Sequence, residues 1–256
     1  MALRRIFRLL IIIRKLKSMK LDILAIASHP DDAELSCSGT LVAHVAQGYK
    51  VGIVDLTQGE MGTRGTSEIR LRESGEASKI LRLSARENLG FEDVYFNDDK
   101  AHHLQIVKAI RKYQPEIILA NAVRDRHPDH GKGASVVSKA CFISGLRRAE
   151  TFHEGESQLP WRPKAVYHYI QNDYIQPDFV FDITDYWDVK LASIKAFRSQ
   201  FFDPDNDEPE SFISKPGFLD FIEARAKEFG HQIQVKYGEG FTVERMLGVK
   251  NLFDLQ

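Results

Sequence analysis

The sequence predicts one α/β domain with a mostly parallel sheet, helices on both faces and a site at the C-terminal edge of the strands. Three observations carry this. Short apolar runs alternate with helical periods over residues 21–150. The strand candidates are apolar throughout instead of alternating, as strands covered on both faces must be. Two imidazole and carboxylate clusters, His29-Pro30-Asp31-Asp32 and His127-Pro128-Asp129-His130, each stand just beyond such a run. In a Rossmann-like sheet those positions lie side by side, at the crevice where ligands bind.

Residues 1–18 differ from the rest: Ile6 to Ile13 is apolar but contains Arg8, and Arg4, Arg5, Arg14, Lys15 and Lys17 flank it. The run is too short to span a bilayer, and no small-residue cleavage site follows. We read it as an N-terminal extension, disordered or produced by a start upstream of Met19, with an amphipathic membrane-surface helix as the other reading. The domain proper then covers 19–256.

Within it, apolar character predicts strands over 21–27 and 50–56, separated by a helix over 39–47 that Gly48 stops. A helix over 68–83 follows, opened by Glu68 in its first turn. Then come a short strand over 88–91, a helix over 102–113 ended by Pro115, a strand over 116–121 and a helix over 131–146. Strands over 165–170 and 179–183, a helix over 186–201 and a helix over 218–229 ended by Gly230 come next, and 241–247 closes as a strand. The acidic, Pro-punctuated run 203–210 reads as a loop, a contact or a lid.

Composition excludes more than it selects. A net charge of -1 gives no bulk electrostatic reason for nucleic acid or an anionic membrane as partner, and stable membrane insertion is not expected. Cys37 and Cys141, the only cysteines, are too few for a disulfide framework and read as reduced thiols in a cytoplasmic setting.

The clusters carry the chemistry. His29 and Asp32 share one tight turn, and His130 on the second loop can complete a three-ligand site with an open position. Two imidazoles and one carboxylate suit zinc and equally suit ferrous iron. Asp31, diverging from Asp32 on the turn, can serve as general base. His127, as an imidazolium, can stabilise an oxyanion and protonate a leaving amine, with Asp129 orienting it. The glycine-rich stretch Gly59 to Thr66 spaces its glycines G-x-x-G-x-x-G after the second strand, so the dinucleotide fingerprint is absent and a loop over the site is expected. Arg64, Arg70 and Arg126 lie near the crevice and can fork onto a carboxylate or sugar hydroxyls.

These residues resemble the LmbE/PIG-L family of zinc-dependent N-deacetylases. The resemblance rests on His29-Pro30-Asp31-Asp32, Glu34, Gly39-Thr40, Asp55-Leu56-Thr57, Gly59-Glu60, Gly65-Thr66 and Asp125 to Gly131. It implies zinc on His29, Asp32 and His130, Asp31 as base and His127 facing the oxyanion. It also implies sugar-hydroxyl contacts from Arg70 and Asp93, although Glu92 replaces the proline expected before Asp93. The closer match within the family implies hydrolysis of N-acetylglucosaminyl-malate in bacillithiol biosynthesis; its malate carries two carboxylates, and Arg64 or Arg126, flanking the crevice, can pair with one. Deacetylation of another amino sugar, or metal and sugar binding without turnover, are the alternatives. A homo-oligomer is the family's expectation.

Overall fold

The structure, a computed structural model, describes residues 19–201 and 203–254; the extension expected over 1–18 lies outside them. Its elements are β1 (Ile23–Ala27), α1 (Asp32–Ala46), β2 (Val51–Thr57), α2 (Ser67–Leu81), β3 (Ala85–Phe91), α3 (Lys100–Tyr113), β4 (Ile117–Ala120) and α4 (Pro128–Ser144). A small hairpin follows, β5 (Phe152–His153) and β6 (Glu156–Ser157). After it come β7 (Ala165–Tyr169), β8 (Phe179–Asp182), α5 (Trp187–Lys195), α6 (Phe218–Gln232) and β9 (Gly238–Val243).

Seven strands form one sheet in the order β3-β2-β1-β4-β7-β9-β8. The first five are mutually parallel, and β9 runs against both β7 and β8. The chain winds outward from β1 to β2 on one side and to β4 on the other, so the crevice at the topological switch lies beyond Ala27 and Ala120. Both clusters stand there. Because β9 is reversed, its first residues, Gly238 to Gly240, reach the same edge.

Both faces are covered, as the apolar strands require. Leu24, Ile26, Val54 and Leu56 pack against Ile106 and Ile110 of α3 and Val136 and Val137 of α4. On the other face Ile23, Ala25 and Ala27 meet Ala33, Cys37 and Leu41 of α1. An outer cluster of Ala77, Ile194, Phe197, Phe201 and Phe218 joins α2, α5 and α6.

Several boundaries differ from the sequence reading. Helix α1 begins at Asp32 instead of at 39, because the turn at Asp31 starts it directly on the strand end. Likewise α4 begins at Pro128 instead of at 131, with proline in its first turn, where a missing N–H costs nothing. Strand β3 extends back to Ala85, since Arg86 and Glu87 find partners in Asp55, Glu34, Lys112 and Tyr113. The helix expected over 186–201 stops at Lys195, where Glu73 accepts from the Ser199 N–H and hydroxyl and captures the chain in turns. Strand β9 covers 238–243 instead of 241–247; its first two glycines admit Val180 and Phe229 closer than a side chain would allow.

A buried ion pair fixes β9 to α1. Lys190 of α5, 2% exposed, lies 2.7 Å from Glu239 Oε1. Glu239 accepts from Gly39 N–H, Thr40 N–H and the Thr40 hydroxyl at 3.0, 2.7 and 2.6 Å. Lys190→Ala leaves that carboxylate buried without its cation, and the expected cost is about 3–5 kcal/mol, read as a lowered urea midpoint. A loss under about 1 kcal/mol, the worth of an exposed pair, would show that water reaches it.

Candidate functional site

The turn between β1 and α1 is strained. Asp31 sits at φ 114 and ψ -25, a conformation that costs a non-glycine residue on the order of 1–3 kcal/mol. Arg70 holds it from α2: Nη2 donates to the Pro30 carbonyl at 2.6 Å and to Asp31 Oδ2 at 3.2 Å, and Nη1 donates to the Gly59 carbonyl at 3.1 Å. Gly59 has to be glycine here, because its φ is +68 and a Cβ would lie 1.9 Å from Arg70 Nη1.

Asp32 joins the two clusters. Its Oδ2 lies 3.4 Å from His29 Nδ1 and its Oδ1 3.0 Å from His130 Nε2. The carboxylate also accepts from the His29 backbone N–H, from Asn121 Nδ2 and from Gln171 Nε2. Asn121 follows β4 and accepts from the Ser28 N–H at 2.8 Å; the Ser28 hydroxyl donates to the Asp129 carbonyl at 2.9 Å. Strand ends β1 and β4 are thereby locked together beneath the imidazoles.

His29 and His130 each have a carboxylate on the far nitrogen. Asp125 Oδ2 is 2.5 Å from His130 Nδ1, and Asp93 Oδ1 is 3.0 Å from His29 Nε2. Ring tautomers are thus set so that His29 Nδ1 and His130 Nε2 both face Asp32, the arrangement metal-binding histidines use. Nitrogen–oxygen separations of this size suit donors sharing one ion at bond lengths of roughly 2.0–2.1 Å. The groups whose donor atoms all lie within 4.8 Å of one another are His29 with His127 and His130, and His29 with Asp93 and Asp129, while Asp32 meets His29 and His130 through separate oxygens.

Electrostatics point the same way. Asp31, Asp32, Asp93, Asp125 and Asp129 converge here, with Arg70 and Lys132 as their nearest fixed cations. Burial alone would keep His29 neutral, but Asp129, Asp32 and Asp93 hold its pKa well above the usual range. Burial likewise opposes a charged His130, and Asp32 and Asp125 nevertheless push it up to about 9. Burial works against ionised Asp32, yet His130 and His29 keep it well below the carboxylate range. Asp31 goes the other way: burial, aided by Asp32 and opposed by Arg70, raises it to about 7. A site that draws protons onto two imidazoles has the excess negative charge a divalent cation would neutralise. The donor set fits one.

The surroundings of three expected roles differ from the sequence reading. His127, expected as an imidazolium, has its pKa pushed down to about 4 by burial and by the charges of His29 and His130, which favours the neutral ring. Its Nδ1 accepts from the Asp129 backbone N–H at 3.3 Å, which leaves the proton on Nε2. The Asp129 carboxylate is turned away from His127: Oδ2 accepts from Val94 N–H at 2.9 Å and lies 3.5 Å from His29 Nε2, and Oδ1 pairs with Lys132 at 2.7 Å. Arg70 and Asp93, expected on sugar hydroxyls, also hold the Asp31 turn and His29.

Arg64 and Arg126 do line the cavity that holds both clusters. Arg64 is 5% exposed, and among the described residues its guanidinium has no hydrogen bond or ion pair. Arg126 is exposed and lies 4.2 Å over the Phe212 ring. The acidic run reaches the same rim: Glu208 accepts from the Gly65 N–H, and Glu210 lines the cavity. Sequence reasoning assigned no role to Asn121, Gln171 or Asp125; only Asp125, a second carboxylate in a His-rich run, carried a signal.

The family model described as PIG-L: GlcNAc-PI de-N-acetylase matches residues 24–141, the stretch that holds both clusters. The uncharacterized deacetylase YaiS of Escherichia coli is 35% identical over 184 residues, 69% of this chain and 90% of its own. Diacetylchitobiose deacetylase of Thermococcus kodakarensis is 28% identical over 70% of each chain. The crystal structure of the conserved protein TT1542 from Thermus thermophilus matches with a TM-score of 0.79 and 36% identity, covering 90% of this chain and 98% of that one. Two relatives at 25% identity carry other names. One is 4-oxalmesaconate hydratase of Pseudomonas putida, over 73% of this chain and 77% of its own. The other is the probable N-acetyl-alpha-D-glucosaminyl L-malate deacetylase 2 of Bacillus anthracis, over 70% and 81%. No helix among the described residues is long and apolar enough to cross a membrane. Nine-tenths coverage of YaiS at 35% identity, with both clusters inside the family match, makes this chain a member of the PIG-L/LmbE family and a hydrolase of the N-deacetylase type.

Proposed function

We propose that the protein removes the N-acetyl group of an N-acetylglucosaminyl conjugate, N-acetylglucosaminyl-malate being the substrate, and releases acetate and a free amine. The observation that carries this reading is Arg64. A buried guanidinium without an ion pair among the described residues, lining the same cavity as Asp31 and His127, calls for an anionic group on the ligand. A malate aglycone brings two carboxylates, whereas a neutral chitooligosaccharide brings none. Arg126 at the rim is placed for the second. The name of the Bacillus anthracis relative supports the same substrate. Buried free thiols at Cys37 and Cys141 suit the reducing cytoplasm in which we place the reaction.

His29, Asp32 and His130 would hold the cation, zinc in our reading, with ferrous iron compatible with the same donors. When bound it polarises the acetyl carbonyl and acidifies water. The chain's own groups do the rest. Asp31, with a pKa near neutrality, accepts a proton from the attacking water and returns it to the leaving nitrogen. His127 donates its Nε2–H to the developing oxyanion as a neutral imidazole. Asp93 and Asp125 keep the two donor imidazoles oriented, and Arg70 keeps Asp31 on its strained turn. A sugar hydroxyl meeting Arg70 or Asp93 would add to these contacts without replacing them.

Asp31→Asn should retain the metal and lose at least roughly a hundredfold in kcat; unchanged turnover would favour a binding protein over an enzyme using this base. Asp31 must be ionised to act, so kcat/KM should rise with pH along an acid limb at or below about 7, since a bound cation pulls the carboxyl down. Arg70→Gln removes an opposing positive charge and should move that limb upward. In elemental analysis, His29→Ala and His130→Ala should each lose the metal and His127→Ala keep it. A metal-free His127→Ala protein would mean a different ligand set. Arg64→Ala should raise KM for the malate conjugate roughly ten- to a hundredfold and leave N-acetylglucosamine less affected. Equal losses on both substrates, or acetate release only from diacetylchitobiose, would sink the malate assignment.

A further inference from the structure

The cavity continues past the residues used so far. Its volume is about 530 Å³, within the range of roughly 300–1,000 Å³ usual for small-molecule sites. The sheet order divides it. Arg64, Arg70 and Asp93 lie on the side of β2 and β3, and the donor cluster stands over β1 and β4. The side of β7 and β9 is lined by Ile170, Ala226 and Phe229, and Leu35, Phe218 and Ile222 continue this apolar wall toward the cluster that α2, α5 and α6 share. Leu35 is one helical turn beyond Asp32, so this apolar wall begins at the donors themselves.

The two sides also differ in charge. The cations that line the β7–β9 side, Arg225 and Lys190, are both engaged with the protein. Arg225 donates to the Gln171 and Asn172 carbonyls at 3.3 and 3.2 Å and pairs with Glu228 at 3.3 Å. Lys190 is paired with Glu239. This side therefore presents apolar surface with its charges matched, while on the other Arg64 has no ion pair among the described residues.

We infer that the β7–β9 side is an acyl subsite, and that the enzyme accepts N-acyl groups longer than acetyl. The inference rests on the deacetylase reading above. With the sugar and its anionic aglycone on the Arg64 side, the acyl substituent of the scissile amide points across the donors toward Leu35 and Ile170. The chemistry is unchanged. Water oxygen bonds to the acyl carbon, the C–N bond breaks, the acid leaves as its carboxylate and the amine takes the proton, so water is the only co-reactant.

The test uses the full metal-loaded chain with glucosaminyl-malate carrying N-acetyl, N-butyryl or N-hexanoyl groups, and benzyl N-acetylglucosaminide as an apolar-aglycone control. The expected result is a kcat/KM that rises about fourfold for each methylene that becomes buried. Ile222→Trp and Ala226→Phe should each lower the hexanoyl-to-acetyl ratio of kcat/KM at least about tenfold. A ratio is insensitive to general damage. Ile222 is half-buried whereas Ala226 packs beside Trp187 and Tyr237, so one variant remains informative if the other fails to fold. A hexanoyl substrate at least tenfold poorer than the acetyl one, with normal acetate release from the latter, overturns the acyl subsite alone. A gain confined to the benzyl glycoside overturns it in favour of an apolar aglycone. No product from any N-acyl form removes the substrate assignment, and the subsite with it.

Discussion

One turn, at Asp31, underlies the site. If residue 31 took ordinary helical or extended angles, α1 would leave β1 in another direction and His29, Asp31 and Asp32 could not converge. The strain is local and its restraints are not: Arg70 grips the turn from α2, and Asn121 grips it from the end of β4. Three stretches of chain far apart in sequence over-determine a conformation that none would adopt alone, the condition under which strained residues persist. Asp31 gains its raised pKa from the same geometry, since the turn buries it beside Asp32 while Arg70 limits the penalty.

The second organising fact is an imbalance of charge. Five carboxylates around two cation-seeking imidazoles form a poor core by any stability argument. The imbalance makes sense only as a binding site. It also separates the roles of the three cluster histidines. The carboxylates behind His29 and His130 push their pKa up, whereas His127 has only a backbone N–H behind it and its pKa is pushed down. Neighbours, more than the imidazole itself, decide which histidine suits a cation and which suits a developing oxyanion.

Much of this was legible in the sequence because it is local. Apolar runs identify β1, β2 and β4, and the clusters at their ends are visible as residue types at tight-turn spacing. The rest depends on partners without periodicity. Asn121 meets Asp32 across a separation of 89 residues and Gln171 meets it across 139; nothing near either residue marks it as a carboxylate's partner. Strand β3 was read short because Arg86 and Glu87 look like loop residues until Asp55 and Lys112 are brought beside them. The Asp129 carboxylate was assigned to the nearest imidazole in sequence, but as the second residue of α4 it is aimed at β3's end and at His29. The start of β9 at Gly238 is not legible because the use of its two glycines, admitting Phe229 and Val180, lies in other elements.

The reversal of β9 has a consequence for how this molecule acquires its cavity. In a purely parallel sheet every strand delivers its loop to the binding edge as soon as its own crossover is complete. Here the far wall is delivered by a strand that enters from that edge, and its Glu239 closes onto Gly39 across 200 residues of chain. Contacts of such span form late, because the loop must close before they return any energy. The imidazole–carboxylate cluster can assemble from the segment between β1 and α4, whereas the enclosed pocket requires the whole of the described fold. Assembly of the donor cluster and enclosure of the pocket thus belong to different stages of the same folding reaction.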